Sequence, residues 1–332
     1  MNKIILGTMN IHYPYSSNID TSNEYYKSII DRYLWHLDNY NAGINTDTTK
    51  VYPILDTAYY YGNTQTEKTL GKIFNSKTYH DLIIATKANP WFENDFTNGR
   101  FGQLSKDGIE HQLNTSFMNL GCNKVDIFYL HCPDYETSII ETLEKCDELW
   151  RTEKFNDLGI SNFSKEQLIE VLSICEKNGL NEPRYYQGMY NIICRKVEEL
   201  FPILDNYNMN FWAYNPLAGG LLTGKYSTPD FSKKSRFKDN KIYQNIFWKP
   251  EIIYNLDDFL KSPRCLEYSL QWLFKYSKLH ENDKVILGVS TIEQLDNNIK
   301  LINKQVEYNM EEIQYLDGLY NRVKEWSPNY FY

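Results

Sequence analysis

Residues 125–161 read VDIFYLHCPDYETSIIETLEKCDELWRTEKFNDLGIS, and the order of patterns in them decides the fold. An apolar, β-branched run (125–131) gives way to a helix-period segment (137–153), which returns to a second short run (157–161). Strand, helix, strand in that order is the unit that builds a parallel sheet. The same alternation extends both ways along the chain. Further strand-like runs lie at 3–8, 52–56, 82–87, 184–188, 210–214 and 284–290. Helix-period segments lie at 23–40, 64–75, 105–120, 164–178, 195–207, 263–279 and 292–302. Ser164 with Gln167 three residues on is a capping box, and Leu168, Val171, Leu172 and Cys175 then share one helix face. Eight such units predict an α/β protein, a single (β/α)8 barrel spanning 1–332 with one more helix at 310–325. The doubly wound alternative usually carries G-x-G-x-x-G after its first strand, where this chain has Leu6-Gly7-Thr8-Met9. The longest irregular stretch, 217–262, follows the seventh strand; a loop of that length is usually functional, such as a lid.

Composition narrows the function. At 42% hydrophobic and 23% charged the chain is globular rather than disordered or fibrous. A net charge of -8 with no basic block removes the usual driver for nucleic-acid binding. The six cysteines form no C-x-x-C, which argues against a disulfide framework or zinc knuckle, and reduced thiols suggest a cytoplasmic protein. The apolar run near the N-terminus is too short for a signal peptide, and no run of eighteen apolar residues predicts a membrane span. His12, His36, His80, His111, His131 and His280 lack ligand spacing, so no metal is expected.

In a parallel barrel the chemistry lies at the carboxyl ends of the strands. Those ends read Asp56, Lys87, His131, Ser161 with Asn162, Gln187, Tyr214 with Asn215, and Ser290. Singly each has a plain alternative: Asp56 as a cap or turn residue, Lys87 as a solvated loop lysine, His131 as a core histidine. Together at one rim they form a set. A phenol has a pKa near 10, and an ammonium beside it favours its anion. Such a phenol can hand a proton to a carbonyl oxygen as that oxygen becomes an alkoxide.

The stretch Asp56-Thr57-Ala58-Tyr59-Tyr60-Tyr61-Gly62 resembles the D-T-A-x-x-Y-G motif of the aldo-keto reductases. With Ile84-Ala85-Thr86-Lys87 and Tyr129-Leu130-His131 in order, the resemblance covers a catalytic tetrad of Asp56, Tyr61, Lys87 and His131. It selects Tyr61 as the acid, leaving Tyr59 and Tyr60 to packing or the rim. Ala85 to Trp91, Tyr186 to Asn191, Ala213 to Tyr226 and the ending Pro328 to Phe331 are similar to the aflatoxin-aldehyde reductase branch.

That resemblance implies reduction of aldehydes or ketones with NADPH lying across the barrel mouth. Ser161, Asn162 and Gln187 would hold the nicotinamide carboxamide, and Tyr214 would stack on its ring beside Asn215. The backbone and side chains of Leu217, Gly219, Leu221, Thr223 and Lys225 would embrace the pyrophosphate. Gly288, Ser290, Gln294 and Asn298 resemble the adenosine-phosphate site, and Arg236 the arginine near the 2'-phosphate. Met9, Trp91 and Tyr330 are the expected contacts to a small-molecule carbonyl substrate. The segment 10–50 is longer than the branch leads one to expect, and Asn10 to Tyr15 would form an extra rim element. The branch ends in an arginine suited to an acidic substrate tail. Here Tyr332 stands instead, a departure from recognition of carboxylated aldehydes. The aromatics expected at the mouth (Tyr59, Tyr60, Trp91, Phe92, Trp248 and Tyr330) point toward a hydrophobic or aromatic aldehyde.

Three further readings are set beside this one. Related barrels serve as potassium-channel β-subunits, so a cofactor-binding regulatory subunit is the alternative. A barrel isomerase or aldolase would use Lys87 as a Schiff base. Gly219-x4-Gly224-Lys225 nearly spells a phosphate loop, but Tyr226 stands where Ser or Thr would hold magnesium. A homodimer is compatible with the resemblance.

Overall fold

The computed structural model describes all residues except 12–18, 44–49, 77, 78, 80, 93–100, 226–240 and 332, and omits the side chains of 19–21 and 241–243. Eight parallel strands close into a barrel in chain order. They are β1 (Ile4–Gly7), β2 (Ile54–Asp56), β3 (Ile83–Ala88), β4 (Val125–Leu130), β5 (Phe155–Ser161), β6 (Tyr185–Met189), β7 (Asn210–Tyr214) and β8 (Lys284–Gly288). The seam pairs Ile4 with Val285 and Gly7 with Gly288. The expected (β/α)8 barrel is the observed fold.

The helices follow in turn. They are α1 (Ile19–Ala42), α2 (Gln65–Ser76), α3 (Lys106–Leu120), α4 (Ile139–Arg151), α5 (Lys165–Asn178) and α6 (Phe201–Asn206). After β7 come α7 (Lys241–Phe247), α8 (Pro250–Asn255), α9 (Asp257–Leu260) and α10 (Cys265–Gln271), then α11 (Ile292–Ile302) and α12 (Met310–Val323) after β8. The capping box at α5 is present in both directions: Gln167 N donates to Ser164 Oγ at 3.3 Å, and Ser164 N to Gln167 Oε1 at 2.7 Å.

Period-2 alternation along the strands separates two apolar layers. Ile5, Ile54, Ala85, Ile127, Tyr129, Trp212 and Ile286 fill the barrel interior. Ile4, Leu6, Leu55, Phe128, Leu130, Phe211 and Ala213 face outward into the layer beneath the helices. Close packing fixes Gly159: a Cβ there would lie 2.3 Å from Tyr129 Cε1, so only glycine lets the Tyr129 ring cross the barrel.

Several boundaries differ from the sequence reading. β1 and β2 are shorter than 3–8 and 52–56, β3 runs one residue past Lys87, and β4 stops one residue before His131. β8 ends at Gly288 rather than at Ser290, because pairing with β1 stops at Gly7. The single helix expected at 195–207 is a 3-10 turn (Lys196–Leu200) leading into α6, where Pro202 lies in the first turn. The helix expected at 263–279 changes to a π-helical turn over Trp272–Tyr276. Within the stretch 217–262, in which the sequence places no helix, lie a 3-10 segment (Ala218–Thr223) and α7, α8 and α9. Arg236, Tyr332 and residues 12–15 of the expected rim element lie outside the described residues.

Candidate active site

The strand alternation that builds the barrel core also builds the site. Two residues beyond an interior residue the next side chain points inward again, one layer nearer the carboxyl mouth. Ile54 is followed in this way by Asp56, Ala85 by Lys87, Tyr129 by His131, Gly159 by Ser161, Tyr185 by Gln187, and Trp212 by Tyr214. Six of the expected residues therefore share one layer by geometry alone.

At its centre is a buried ion pair. Lys87 is fully buried, and its Nζ donates to Asp56 Oδ1 and to the Thr57 carbonyl, both at 2.7 Å. Burial pulls the Lys87 ammonium below its ordinary pKa, while the Asp56 carboxylate pulls the other way. The same Asp56 oxygen accepts from Gln187 Nε2 at 2.8 Å. Lys87 Nζ lies 5.1 Å from the centroid of the Tyr61 ring and 5.8 Å from that of Tyr129. The Tyr61 ring meets that of His131 edge-on at 5.9 Å, and Trp91 meets His131 at 5.3 Å. Tyr60 packs edge-on against Trp91 at 5.0 Å. Burial drives the His131 imidazole well below its ordinary pKa, and the Lys87 charge adds to the effect. His131 is consequently a neutral ring at physiological pH, a hydrogen-bonding group rather than a cation.

Two of the carboxamide candidates, Ser161 and Asn162, hold one another, whereas Gln187 is held by Asp56. Asn162, in the left-handed region at φ 63°, donates from Nδ2 to the His131 carbonyl at 2.9 Å and to Ser161 Oγ at 3.0 Å. Its Oδ1 accepts from the Tyr214 hydroxyl at 2.7 Å. Beyond β7, left-handed backbone recurs at Asn215, Ala218, Gly219, Gly220 and Gly224. The N–H groups of Ala218, Gly220, Leu222 and Gly224 donate to carbonyls within this stretch, so it closes on itself as a series of tight turns. Thr223 Oγ1 donates to the Gly220 carbonyl at 2.7 Å and fixes this turn, and Lys225 beside it is exposed. Leu221 is fully buried in the outer core, so only its backbone is presented, against the expectation for its side chain. Leu217 is half-buried and Gly288 exposed. Gln294 Oε1 accepts from Ser290 N at 2.9 Å, and Asn298 lies buried on α11. Met9 is half-buried after β1. Tyr330 is 3% exposed and donates to Glu199 at 2.9 Å, so it is packed into the rim rather than presented on it.

Sequence reasoning missed the residues behind the site. Thr86, outward-facing beside Lys87, donates to the buried Glu67 of α2 at 2.6 Å, and burial raises the Glu67 pKa. Gln112 of α3 accepts from Asn89 N at 2.9 Å and donates to the carbonyls of Asn89 (3.0 Å) and Gln103 (2.9 Å), fixing the loop that carries Trp91. Its signal was available: Ile109, Gln112, Leu113 and Ser116 recur at helical spacing on one buried face.

A tyrosine, a neutral histidine and a buried aspartate–lysine pair at the carboxyl mouth of a closed barrel define an oxidoreductase of the carbonyl-reducing class. The chain belongs to the Aldo/keto reductase family, whose sequence profile matches residues 3–321. It is 39% identical over 297 residues to aflatoxin B1 aldehyde reductase member 2 of Mus musculus, covering 83% of this chain and 78% of that protein. It is 40% identical over 265 residues to aflatoxin B1 aldehyde reductase member 4 of Homo sapiens, covering 74% and 78%. Among solved structures, the holo form of the aldo-keto reductase AKR11C1 from Bacillus halodurans shares the fold at TM-score 0.65 and 22% identity, over 99% of this chain and 93% of that one. Among the described residues no helix is long and apolar enough to cross a membrane, and no three His, Cys, Asp or Glu side chains could hold a metal.

Proposed function

We propose that this protein, as a single barrel domain, reduces aldehydes or ketones with NADPH and uses Tyr61 as the general acid. The observation that carries the proposal is the buried Lys87–Asp56 pair, 2.7 Å apart, beside the Tyr61 ring. The chain's groups fit a dinucleotide. Ser161, Asn162 and Gln187 offer the donors and acceptors that a carboxamide needs, and Tyr214 with Asn215 supplies a flanking ring and turn. Leu217, Gly219, Leu221, Thr223 and Lys225 offer backbone N–H groups and a cation for a pyrophosphate. Gly288, Ser290, Gln294 and Asn298 lie where β8 passes into α11, whose N-terminal turn favours phosphate.

When bound, a reduced nicotinamide supplies a hydride to the carbonyl carbon. Tyr61 hands its hydroxyl proton to the carbonyl oxygen. The Lys87 ammonium favours the phenolate left behind, and Asp56 holds that ammonium in place. Neutral His131 donates a hydrogen bond that orients the carbonyl and withdraws charge from it. Trp91 and Tyr60 line the approach with aromatic surface, consistent with an apolar carbonyl substrate. The names of the mammalian relatives, aldehyde reductases both, support the same class of substrate.

Tyr61→Phe should lower kcat by about 10²- to 10⁴-fold, the usual worth of a positioned acid. NADPH should still bind, as followed by quenching of tryptophan fluorescence. Wild-type turnover in that variant would remove Tyr61 from the mechanism.

A further inference from the structure

In the long 10–50 segment the sequence assigns Asn10 to Tyr15 to the rim and a helix to 23–40, and gives that helix no part in the site. Most of it is α1, which runs for 24 residues beside the last strand and helix of the barrel. Three of its side chains reach the β8–α11 element. Tyr25 Oη donates to the Ser290 carbonyl at 2.7 Å. Arg32 Nε and Nη2 donate to the two oxygens of Asp296 on α11, each at 2.8 Å, and His36 Nε2 lies 2.6 Å from Asp296 Oδ1. At 3.6 residues per turn, positions seven and eleven residues beyond Tyr25 return to within about 20° of it, so all three share one face. Ser290 is thereby held at both ends of its backbone: its N–H by Gln294 Oε1 and its carbonyl by Tyr25. Thr291 caps the first turn of α11 by accepting from Gln294 N at 3.1 Å.

We infer that α1 is a positioning element for the adenosine-phosphate end of the cofactor, with Tyr25 as its principal contact and Arg32–Asp296–His36 as its anchor. The inference rests on the reading that Ser290, Gln294 and Asn298 receive that end. The turn between β8 and α11 presents its polar groups in one orientation only while the Ser290 peptide is fixed. The tyrosine hydroxyl on the Ser290 carbonyl fixes that turn from the α1 side. Fixing it in advance reduces the ordering cost of binding.

The test uses 2',5'-ADP, which carries the adenosine and 2'-phosphate without a nicotinamide, titrated calorimetrically into the full-length protein. Loss of one such hydrogen bond should weaken 2',5'-ADP about 3- to 10-fold in Tyr25→Phe. In turnover the loss should fall on KM for NADPH rather than on kcat. Arg32→Gln should act in the same direction. Asn298→Ala tests the underlying reading separately. If Asn298→Ala weakens 2',5'-ADP and Tyr25→Phe leaves it unchanged, the positioning role is overturned while the site stands. If Asn298→Ala has no effect, the site assignment fails and the inference falls with it. If Tyr25→Phe lowers kcat and thermal stability without changing 2',5'-ADP affinity, the helix is merely structural and the inference is overturned.

Discussion

Asp56→Asn tests whether the site is built around a buried charge. Lys87 is fully buried, and its ammonium is held by Asp56 Oδ1 and the Thr57 carbonyl. With an amide in place of the carboxylate, the native protein must carry an unpaired cation or release the proton. Release sets the ceiling on the cost. An ordinary lysine titrates near 10.4, so discarding the proton at pH 7 costs about 3.4 units at ~1.4 kcal/mol each, or about 4.8 kcal/mol. That lies within the roughly 3–5 kcal/mol lost when buried pairs are broken from one side. The sign with pH follows from proton counts. The unfolded variant keeps the Lys87 proton and the folded variant has lost it, so stability rises with pH. The penalty should therefore shrink by about 1.4 kcal/mol per unit between pH 7 and pH 9. Lys87→Met in the same background removes the orphaned amine and should restore most of the loss. Urea unfolding of the wild type, both single variants and the double variant at pH 7, 8 and 9 measures this directly. A penalty under about 1 kcal/mol at pH 7, a penalty flat with pH, or a double variant no more stable than Asp56→Asn would refute the reasoning.

Other outcomes follow from the same contacts. Gly159→Ala drives a methyl into the Tyr129 ring and should cost about 1–3 kcal/mol in urea unfolding, with part of the loss recovered by Tyr129→Leu. Glu67 keeps its proton in the fold to higher pH than it does unfolded, so the wild type loses stability as pH rises above about 4.3. Glu67→Gln escapes that loss and should gain on the wild type in thermal melts as pH rises above about 4.3; a gap that closes with rising pH would contradict the assignment. Trp91→Ala should raise KM for an aromatic aldehyde several-fold and leave KM for NADPH unchanged, because Trp91 packs against His131 and Tyr60. An equal rise in both would place Trp91 elsewhere in the mechanism.

Much of this was legible in the chain because it depends on local pattern. Alternation of short apolar runs with helical periods gave the barrel, and the last residues of the runs gave Asp56, Lys87 and His131, whereas Tyr61 lies beyond β2 and came from the family resemblance alone. The edges were less readable. β8 stops at Gly288 because its partner β1 runs out at Gly7, and no feature of 284–290 records that. The π-helical turn at Trp272–Tyr276 continues a helical pattern in the sequence that carries no mark of the wider turn. Leu221 was expected to offer its side chain to a cofactor, since sequence does not tell which way a 3-10 turn presents a leucine. The Thr57 carbonyl that receives Lys87 is a backbone atom and leaves no mark on composition. Glu67 and Gln112 were readable as polar residues on buried helix faces, but only once the helices were known to face the strands that carry the site.

The seam between the first and last strands has a consequence for synthesis. Ile4–Gly7 finds its second neighbour only when Val285–Gly288 has been made, roughly 280 residues later. At about 5–20 residues per second a ribosome needs on the order of 15–55 seconds to cover that distance. Throughout that interval the nascent polypeptide carries an open, hydrogen-bonding strand edge on an unfinished cylinder. Such an edge is a template for pairing with other chains until the ring shuts.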